Sequence, residues 1–164
     1  MYHQVVSQCV QSLKTVEVLL DKAEQFATAK QFDVRVLLNG RLAPDMKPLI
    51  YQVQSACDYV KAAAAWLSGQ APPKHEDNET TLPELKQRIA KTLDFIKGIK
   101  ASQLEGAETR SIELKGPNRT LTFTGLSYVN NFVLPNFYFH ESISYAILRH
   151  NGVEVGKGDY LGAI

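Results

Sequence analysis

The chain has 164 residues, a formal charge of +1 and 45% hydrophobic residues, which is typical of one globular domain with a substantial core. Its 18 basic and 17 acidic residues are scattered, so the sequence lacks the basic stripe of a nucleic-acid surface and the basic cluster that binds anionic lipid. No apolar run reaches the roughly 18 residues of a membrane span, and the first residues lack a secretory signal. We therefore predict a single cytoplasmic domain over residues 1–164, without nucleic-acid or membrane partners.

Two cysteines, Cys9 and Cys57, are too few and too far apart for a disulfide framework or a zinc cluster. Both fall on or beside predicted apolar helix faces, where free cysteine packs as a small hydrophobic residue. We predict two buried free thiols, with a reactive thiol as the alternative.

The first segment predicts a helix of about 25 residues, because its apolar residues recur at spacings of three and four. These residues are Val6, Cys9, Leu13, Val16, Leu20, Ala23 and Ala27.

A second helix is predicted after a break at Gly40 and Pro44, with Asp45 as its N-cap and Pro48 in the tolerant first turn. Its apolar seam continues the same spacing, and Gly69 ends it. The seam consists of Met46, Leu49, Val53, Ala56, Val60, Ala63 and Leu67.

A polar linker over residues 69–80 precedes Thr81 and Glu84, which have the spacing of a capping box and begin a third helix. The stripe of this helix runs from Leu85 to Ile99 or Lys100. The linker can reach roughly 40 Å, more than the roughly 30 Å length of a 20-residue helix. The second and third helices could therefore run parallel through a crossover.

After the third helix, the spacing of apolar residues changes from the helical period to two. Ile112 and Leu114 alternate with polar residues, as do Leu121 and Phe123, around the turn residues 116–118. This pattern predicts a two-stranded hairpin, which must pack against the helices because an isolated hairpin is marginally stable.

A fourth helix is predicted from about Leu126 to Gly152, with a kink or break at Pro135 just before the stretch NFYFH. The tail is predicted to pack Tyr160 and Leu161 back onto the helices. The predicted fold is all-α: a four-helix bundle with a small β-hairpin inserted between the third and fourth helices.

His140 and Ser144 occupy interior positions one turn apart on the fourth helix, and Gln52 flanks the apolar face of the second helix. A metal site needs three or four good ligands, but His150 lies about 15 Å farther along a straight helix. His75 lies in the polar linker and His3 in the first turn of the first helix.

A nucleophilic role for Ser144 lacks a placed acid and an oxyanion-hole motif. What remains for His140 is a buried neutral ring whose nitrogens are satisfied by Gln52, a hydroxyl or water. These residues are therefore candidates for an interior polar pocket.

Three stretches carry a resemblance: RLAPDMKPLIYQVQSACD, LPELKQRIAKTLDFI and LPNFYFHESISYAILRHNGVEVGKGDYLG. They resemble an uncharacterised family of bacterial and fungal proteins in the DinB/YfiT-like superfamily of four-helix bundles. The resemblance covers nearly the whole chain, and its most specific part runs from Pro135 to Gly162. It implies a bundle with a long crossover between the second and third helices, often assembled as a homodimer.

In metal-bearing relatives, a histidine of the second helix and an H-x-x-x-H pair of the fourth helix hold a divalent ion. Some of these relatives use the ion in thiol-dependent transferase or isomerase reactions. The resemblance places the pair on His140 and Ser144, and the remaining ligand on Gln52. Only His140 is a ligand-type residue, since a hydroxyl and a neutral amide are poor substitutes. The resemblance therefore implies a degenerate metal site.

Three hypotheses follow, and they leave open whether the protein is an enzyme. The leading one is a DinB-like protein without the full three-histidine site, whose polar pocket binds a small molecule or whose bundle is a structural module. The second is a thiol transferase or isomerase that binds zinc or nickel and completes its ligand shell with His3 or water. The third is a protein-interaction module.

Overall fold

The protein is mostly helical, with one small sheet. The computed structural model describes residues 2–162, and the side chains of residues 4–162. Four helices are long: α1 (Tyr2–Ala29), α3 (Leu49–Leu67), α4 (Leu82–Lys97) and α6 (Leu134–His150). None of the helices within residues 2–162 combines the length and the apolar content needed to cross a bilayer.

Shorter elements lie between the long helices and after α6. They are α2 (Arg35–Leu38), the 3-10 turns Ala101–Leu104 and Ala107–Thr109, strands β1 (Ser111–Lys115) and β2 (Thr120–Thr124), α5 (Gly125–Tyr128), a π turn (Val129–Val133) and α7 (Lys157–Leu161). The antiparallel strands pair Ile112 with Phe123 and Leu114 with Leu121. The predicted hairpin is therefore confirmed, with its two runs in register.

The main core lies between the long helices, since α3 packs against α1, α4 and α6, and α1 also packs against α4 and α6. The apolar positions predicted for α1 are buried except for half-buried Val6. A second apolar cluster lies under the hairpin, where Ile112 packs with Tyr128 and Leu67. The hairpin is thus stabilised by burial against the helices, as expected for a two-stranded sheet.

Contacts along α3 and α4 show that these helices run in the same direction. Near the start of α3, the Gln54 Nε2 donates to Glu79 Oε2 at 2.8 Å, just before α4 begins. Further along both helices, Arg88 Nη2 lies 2.8 Å from Asp58 Oδ2. The linker between them therefore returns along the length of α3.

The predicted capping box at the start of α4 is confirmed. The Glu84 carboxylate accepts the backbone N–H of Thr81 at 2.9 Å and that of Thr80 at 2.7 Å. These bonds satisfy amides that have no partner inside the helix.

The predicted N-cap of the second helix is wrong. Helix α3 begins at Leu49, with Pro48 rather than Asp45 in the cap position, and Met46 lies outside the helix. The physical reason is that a proline disfavours helical geometry at the residue before it, here Lys47. A helix capped by Asp45 would have to pass through Lys47, whereas the observed helix begins after Pro48, whose ψ of 169° is extended.

The predicted fourth helix is divided into α5, the π turn and α6, so the disturbance near Pro135 is a π turn. Proline has no N–H for the preceding turn, and the wider turn accommodates this loss. The Asn136 side chain donates to the backbone carbonyl of Phe132 in this turn at 2.6 Å. Leu126, predicted to lie on the interior seam, is 43% exposed because this division turns it outward.

The C-terminal segment packs onto the long helices through Tyr160 but not through Leu161. The Tyr160 ring lies 5.8 Å from that of Tyr145, and its hydroxyl is 3.0 Å from Ser142 Oγ. An ion pair of 2.6 Å between Lys22 and Asp159 holds α7 to α1. Leu161 is 46% exposed, because α7 is a single short turn that presents only one face to the core.

Candidate functional site

His140 lies on α6 and faces α3, with 9% of its surface exposed. Its Nδ1 is 2.7 Å from Gln52 Oε1, while Gln52 Nε2 donates to the carbonyl of Lys47 at 3.0 Å. The second bond orients the amide, so its oxygen faces the imidazole and accepts a hydrogen bond from the Nδ1–H group. His140 is therefore held with the proton on Nδ1 and a lone pair on Nε2.

Aromatic rings surround this imidazole. Tyr59 stacks on it with centroids 5.6 Å apart, and Tyr51 and Phe139 approach edge-on at 6.1 and 5.3 Å. Tyr51 is 40% exposed and Phe139 is 52% exposed, so the cluster opens to solvent. We call the four residues Tyr51, Tyr59, Phe139 and His140 the His140 niche.

The remaining nitrogen of His140 is available as an acceptor. Nε2 makes no hydrogen bond to residues 4–162. It is also not one of the fully buried polar atoms that lack a partner, so solvent can reach it. Burial lowers the pKa of His140 below its usual 6.5, because the charged form loses its hydration. The ring is therefore neutral at pH 7, and its Nε2 can accept a hydrogen bond.

The π turn supports the niche from behind. It places Phe132 edge-on against Tyr59, with centroids 5.7 Å apart. Phe132 in turn contacts Tyr128 and Phe123 of the hairpin region at 5.8 and 5.6 Å. The irregular helix and the hairpin thus fix the ring that stacks on His140.

Ser144 lies one turn from His140 but does not turn its hydroxyl toward the imidazole. Its Oγ donates to the backbone carbonyl of His140 at 2.8 Å, a common use of a buried helical serine. The structure therefore brings Gln52 to the imidazole and keeps the Ser144 hydroxyl on the helix backbone.

His75 and His150 do not belong to this site. His150 is exposed at the end of α6, and His75 lies in the linker beside α4. The side chain of His3 lies outside the described residues. Among the side chains of residues 4–162, no three histidine, cysteine, aspartate or glutamate residues are grouped so as to hold a metal ion.

Both cysteines are buried free thiols, as predicted. Burial raises the pKa of Cys9 and that of Cys57 to about 12. Because the thiolate is the reactive form, neither residue is a nucleophile near neutral pH.

Sequence reasoning missed Glu141, the neighbour of His140, which is 1% exposed and faces α1 and α7. Neither of its carboxyl oxygens makes a hydrogen bond to residues 4–162. Burial raises the pKa of Glu141 to about 7, and nearby Ser12 and Tyr160 oppose part of this rise. The only sequence signal was an acidic residue directly beside an interior position.

Arg88 was also missed. Each residue of the linker, 69–80, is exposed or half-buried. The Arg88 guanidinium is almost completely buried and lies within 3.1 Å of carboxylate oxygens of Asp58, Asp77 and Glu79. It also donates to the carbonyl of Glu76 at 3.0 Å. The linker is therefore fastened to the helices, and an arginine between the stripe residues Leu85 and Ile89 was the available signal.

Fold and site together define a mostly helical DinB-like protein in which one helix-borne histidine is held by an amide. The family model for the domain of unknown function DUF1993 matches residues 1–161, and the chain belongs to this uncharacterised DinB-like family. A solved structure described as a DinB family member protein from Shewanella denitrificans is 47% identical. The match covers 99% of this chain and 92% of that chain, with a TM-score of 0.90. No curated protein matches the chain.

Proposed function

We propose that this protein is a DinB-like four-helix bundle that binds a small planar molecule at the His140 niche without a metal ion. One observation carries the proposal: Gln52 Oε1 lies 2.7 Å from His140 Nδ1 and accepts its N–H, which leaves Nε2 as an acceptor. The resemblance places Gln52 and Ser144 where metal-bearing relatives have histidines. An amide and a hydroxyl are weak ligands for zinc or nickel, so a metal would lack its usual ligand set.

The chemistry of the niche favours a ligand with a flat face and one hydrogen-bond donor. Tyr51, Tyr59 and Phe139 offer ring faces and edges that pack with another ring. Nε2 of His140 supplies a single directional acceptor. A few placed polar atoms among aromatic side chains are typical of small-molecule sites.

A metal-dependent thiol transferase or isomerase is the second candidate, and one observation favours it. Histidines that bind metals commonly donate their other ring N–H to an oxygen, as His140 does to Gln52. In this alternative, His140 Nε2 would be one ligand, and His3 or water molecules would complete the shell.

Nitrogen NMR of the imidazoles tests the first candidate. We expect His140 to show the Nδ1–H tautomer at pH 7, and titration with phenol or benzamide to shift its Nε2 resonance. His140→Ala should abolish the binding of both probes, whereas His150→Ala, on the exposed end of the same helix, should leave it unchanged. An Nε2 resonance that neither probe shifts would contradict the proposal.

Elemental analysis of protein purified without a histidine tag or chelator separates the two candidates. Near-stoichiometric zinc or nickel that is lost in His140→Ala would overturn the metal-free proposal and favour the enzyme.

We further propose that residues 1–164 form one domain, that it lies in the cytoplasm and that it assembles as a homodimer. Two buried free thiols suit a reducing compartment. The exposed aromatic side chains of Tyr51 and Phe139 are the kind that protein interfaces cover.

We expect a mass of two chains in solution at micromolar concentration, measured by light scattering. The mass of one chain would contradict the dimer. An interaction module would be favoured instead if a partner protein remained bound after phenol had filled the niche.

A further inference from the structure

A separate groove lies between the amino-terminal half of α1 and the end of α4. Its volume is about 390 Å³, which falls in the range of about 300–1,000 Å³ found for small-molecule sites. None of the residues that line it belongs to the His140 niche. Its apolar wall is formed by Val6, Val10, Ile96, Ile99 and Leu104.

The wall is only partly covered by the protein itself. Val6 and Val10 of α1, and Ile99 and Leu104 after α4, are all half-buried. At one side of the groove lies Ala64 of α3, whose small side chain leaves room. A ligand with an apolar chain would remove this surface from water, which is the main source of affinity for such a chain.

The polar part of the groove is basic. Lys14 and Lys97 line it, and no carboxylate side chain does. Lys14 forms no ion pair with residues 4–162, and Lys97 has only an exposed pair with Asp94 at 3.2 Å. Such an exposed ion pair contributes little free energy, so both ammonium groups are available to bind an anion.

We propose that this groove binds a medium-chain acyl anion. The acyl chain lies along the wall formed by Val10, Ile96 and Leu104, and the carboxylate lies between Lys14 and Lys97. This site is independent of the His140 niche and adds a second ligand class to the protein.

Calorimetric titration with decanoate, kept below its micelle concentration, tests the proposal. We expect saturable binding of decanoate, and binding of decanol and decyltrimethylammonium that is weaker by on the order of tenfold or more. Equal affinity for all three probes would overturn the role of the lysines. The absence of decanoate binding would overturn the site itself.

Variants locate the binding within the groove. Lys14→Glu combined with Lys97→Glu should weaken decanoate binding by on the order of tenfold or more, whereas Lys115→Glu on the hairpin should not. Val10→Phe should block binding by filling the groove, while Val18→Phe, at a 47% exposed position of the same helix, should not. Circular dichroism checks that each variant is folded.

The two proposals can fail separately. His140→Ala should leave decanoate binding unchanged, and Val10→Phe should leave the phenol-dependent shift of His140 unchanged. Decanoate binding that His140→Ala removes would place the ligand in the niche and overturn the groove. A Val10→Phe variant that binds decanoate as well as the parent would also overturn the groove site. So would a Val10→Phe variant whose only change is that a dimer becomes single chains.

Discussion

Glu141→Gln is expected to stabilise the protein at pH 8 by about 2–3 kcal/mol and to change its stability little at pH 4. The Glu141 carboxyl group is buried between α6, α1 and α7, and neither oxygen is hydrogen-bonded to residues 4–162. An ionised carboxylate in this place loses its hydration, and the neighbouring Ser12 and Tyr160 compensate for only part of that loss. Glutamine keeps the shape of the protonated acid and cannot ionise.

The sign of the pH dependence follows from the proton balance. The pKa of Glu141 is raised from 4.5 to about 7 in the folded state. Between these values the folded protein holds a proton that the unfolded chain has released, so the free energy of unfolding falls as pH rises. Above about pH 7 both states are ionised at this residue, and its contribution becomes constant.

Urea unfolding of the parent and of Glu141→Gln between pH 4 and pH 8 measures this effect. The two curves of unfolding free energy against pH should diverge between the unfolded and folded pKa values of Glu141. Above about pH 7 they should run parallel. Glu105→Gln, at an exposed position, is the matched control and should follow the parent. A Glu141→Gln protein that is less stable than the parent at pH 8 would show that the ionised carboxylate has a favourable partner.

Arg88→Met is expected to lower the free energy of unfolding by about 3 kcal/mol. Methionine retains much of the apolar stem but removes the guanidinium that joins Asp58 of α3 to Asp77 and Glu79 of the linker. Glu79 is the most buried of these carboxylates, so the loss of its positive partner would destabilise it the most. The linker would then be held mainly by Gln54, which donates to Glu79.

Hydrogen exchange and urea unfolding together test the role of Arg88. Amides of residues 70–80 should exchange faster in Arg88→Met than in the parent, even under conditions where both are folded. Lys97→Met, which removes the exposed pair with Asp94, should cost no more than about 0.5 kcal/mol. Equal exchange in the linker of Arg88→Met and the parent would mean that other contacts fasten it.

Local patterns in the sequence were enough to predict the main elements. The buried positions of α1 follow a helical period, β1 and β2 follow a period of two, and Thr81 with Glu84 begins α4. These features depend on residues within a few positions of one another. Asp45 is not the cap because Pro48 disfavours helical geometry at Lys47, which is also a local effect.

The histidine site was predictable in its composition but not in its arrangement. Interior spacing identified His140 as a candidate, and Gln52 and Ser144 were candidates beside it. The tautomer of His140 depends on how Lys47 orients the Gln52 amide, and the direction of the Ser144 hydroxyl depends on the helix backbone. Neither relation leaves a pattern in the sequence.

By itself, the sequence determined the helical class, the hairpin and the family. Only the tertiary structure decided which charged residues are buried, because burial depends on neighbours far away in the chain. Glu141 is enclosed by α1 and α7, and Arg88 by α3 and the returning linker. The rings of Tyr51 and Tyr59, more than 80 positions before His140, likewise meet its imidazole only in the folded chain.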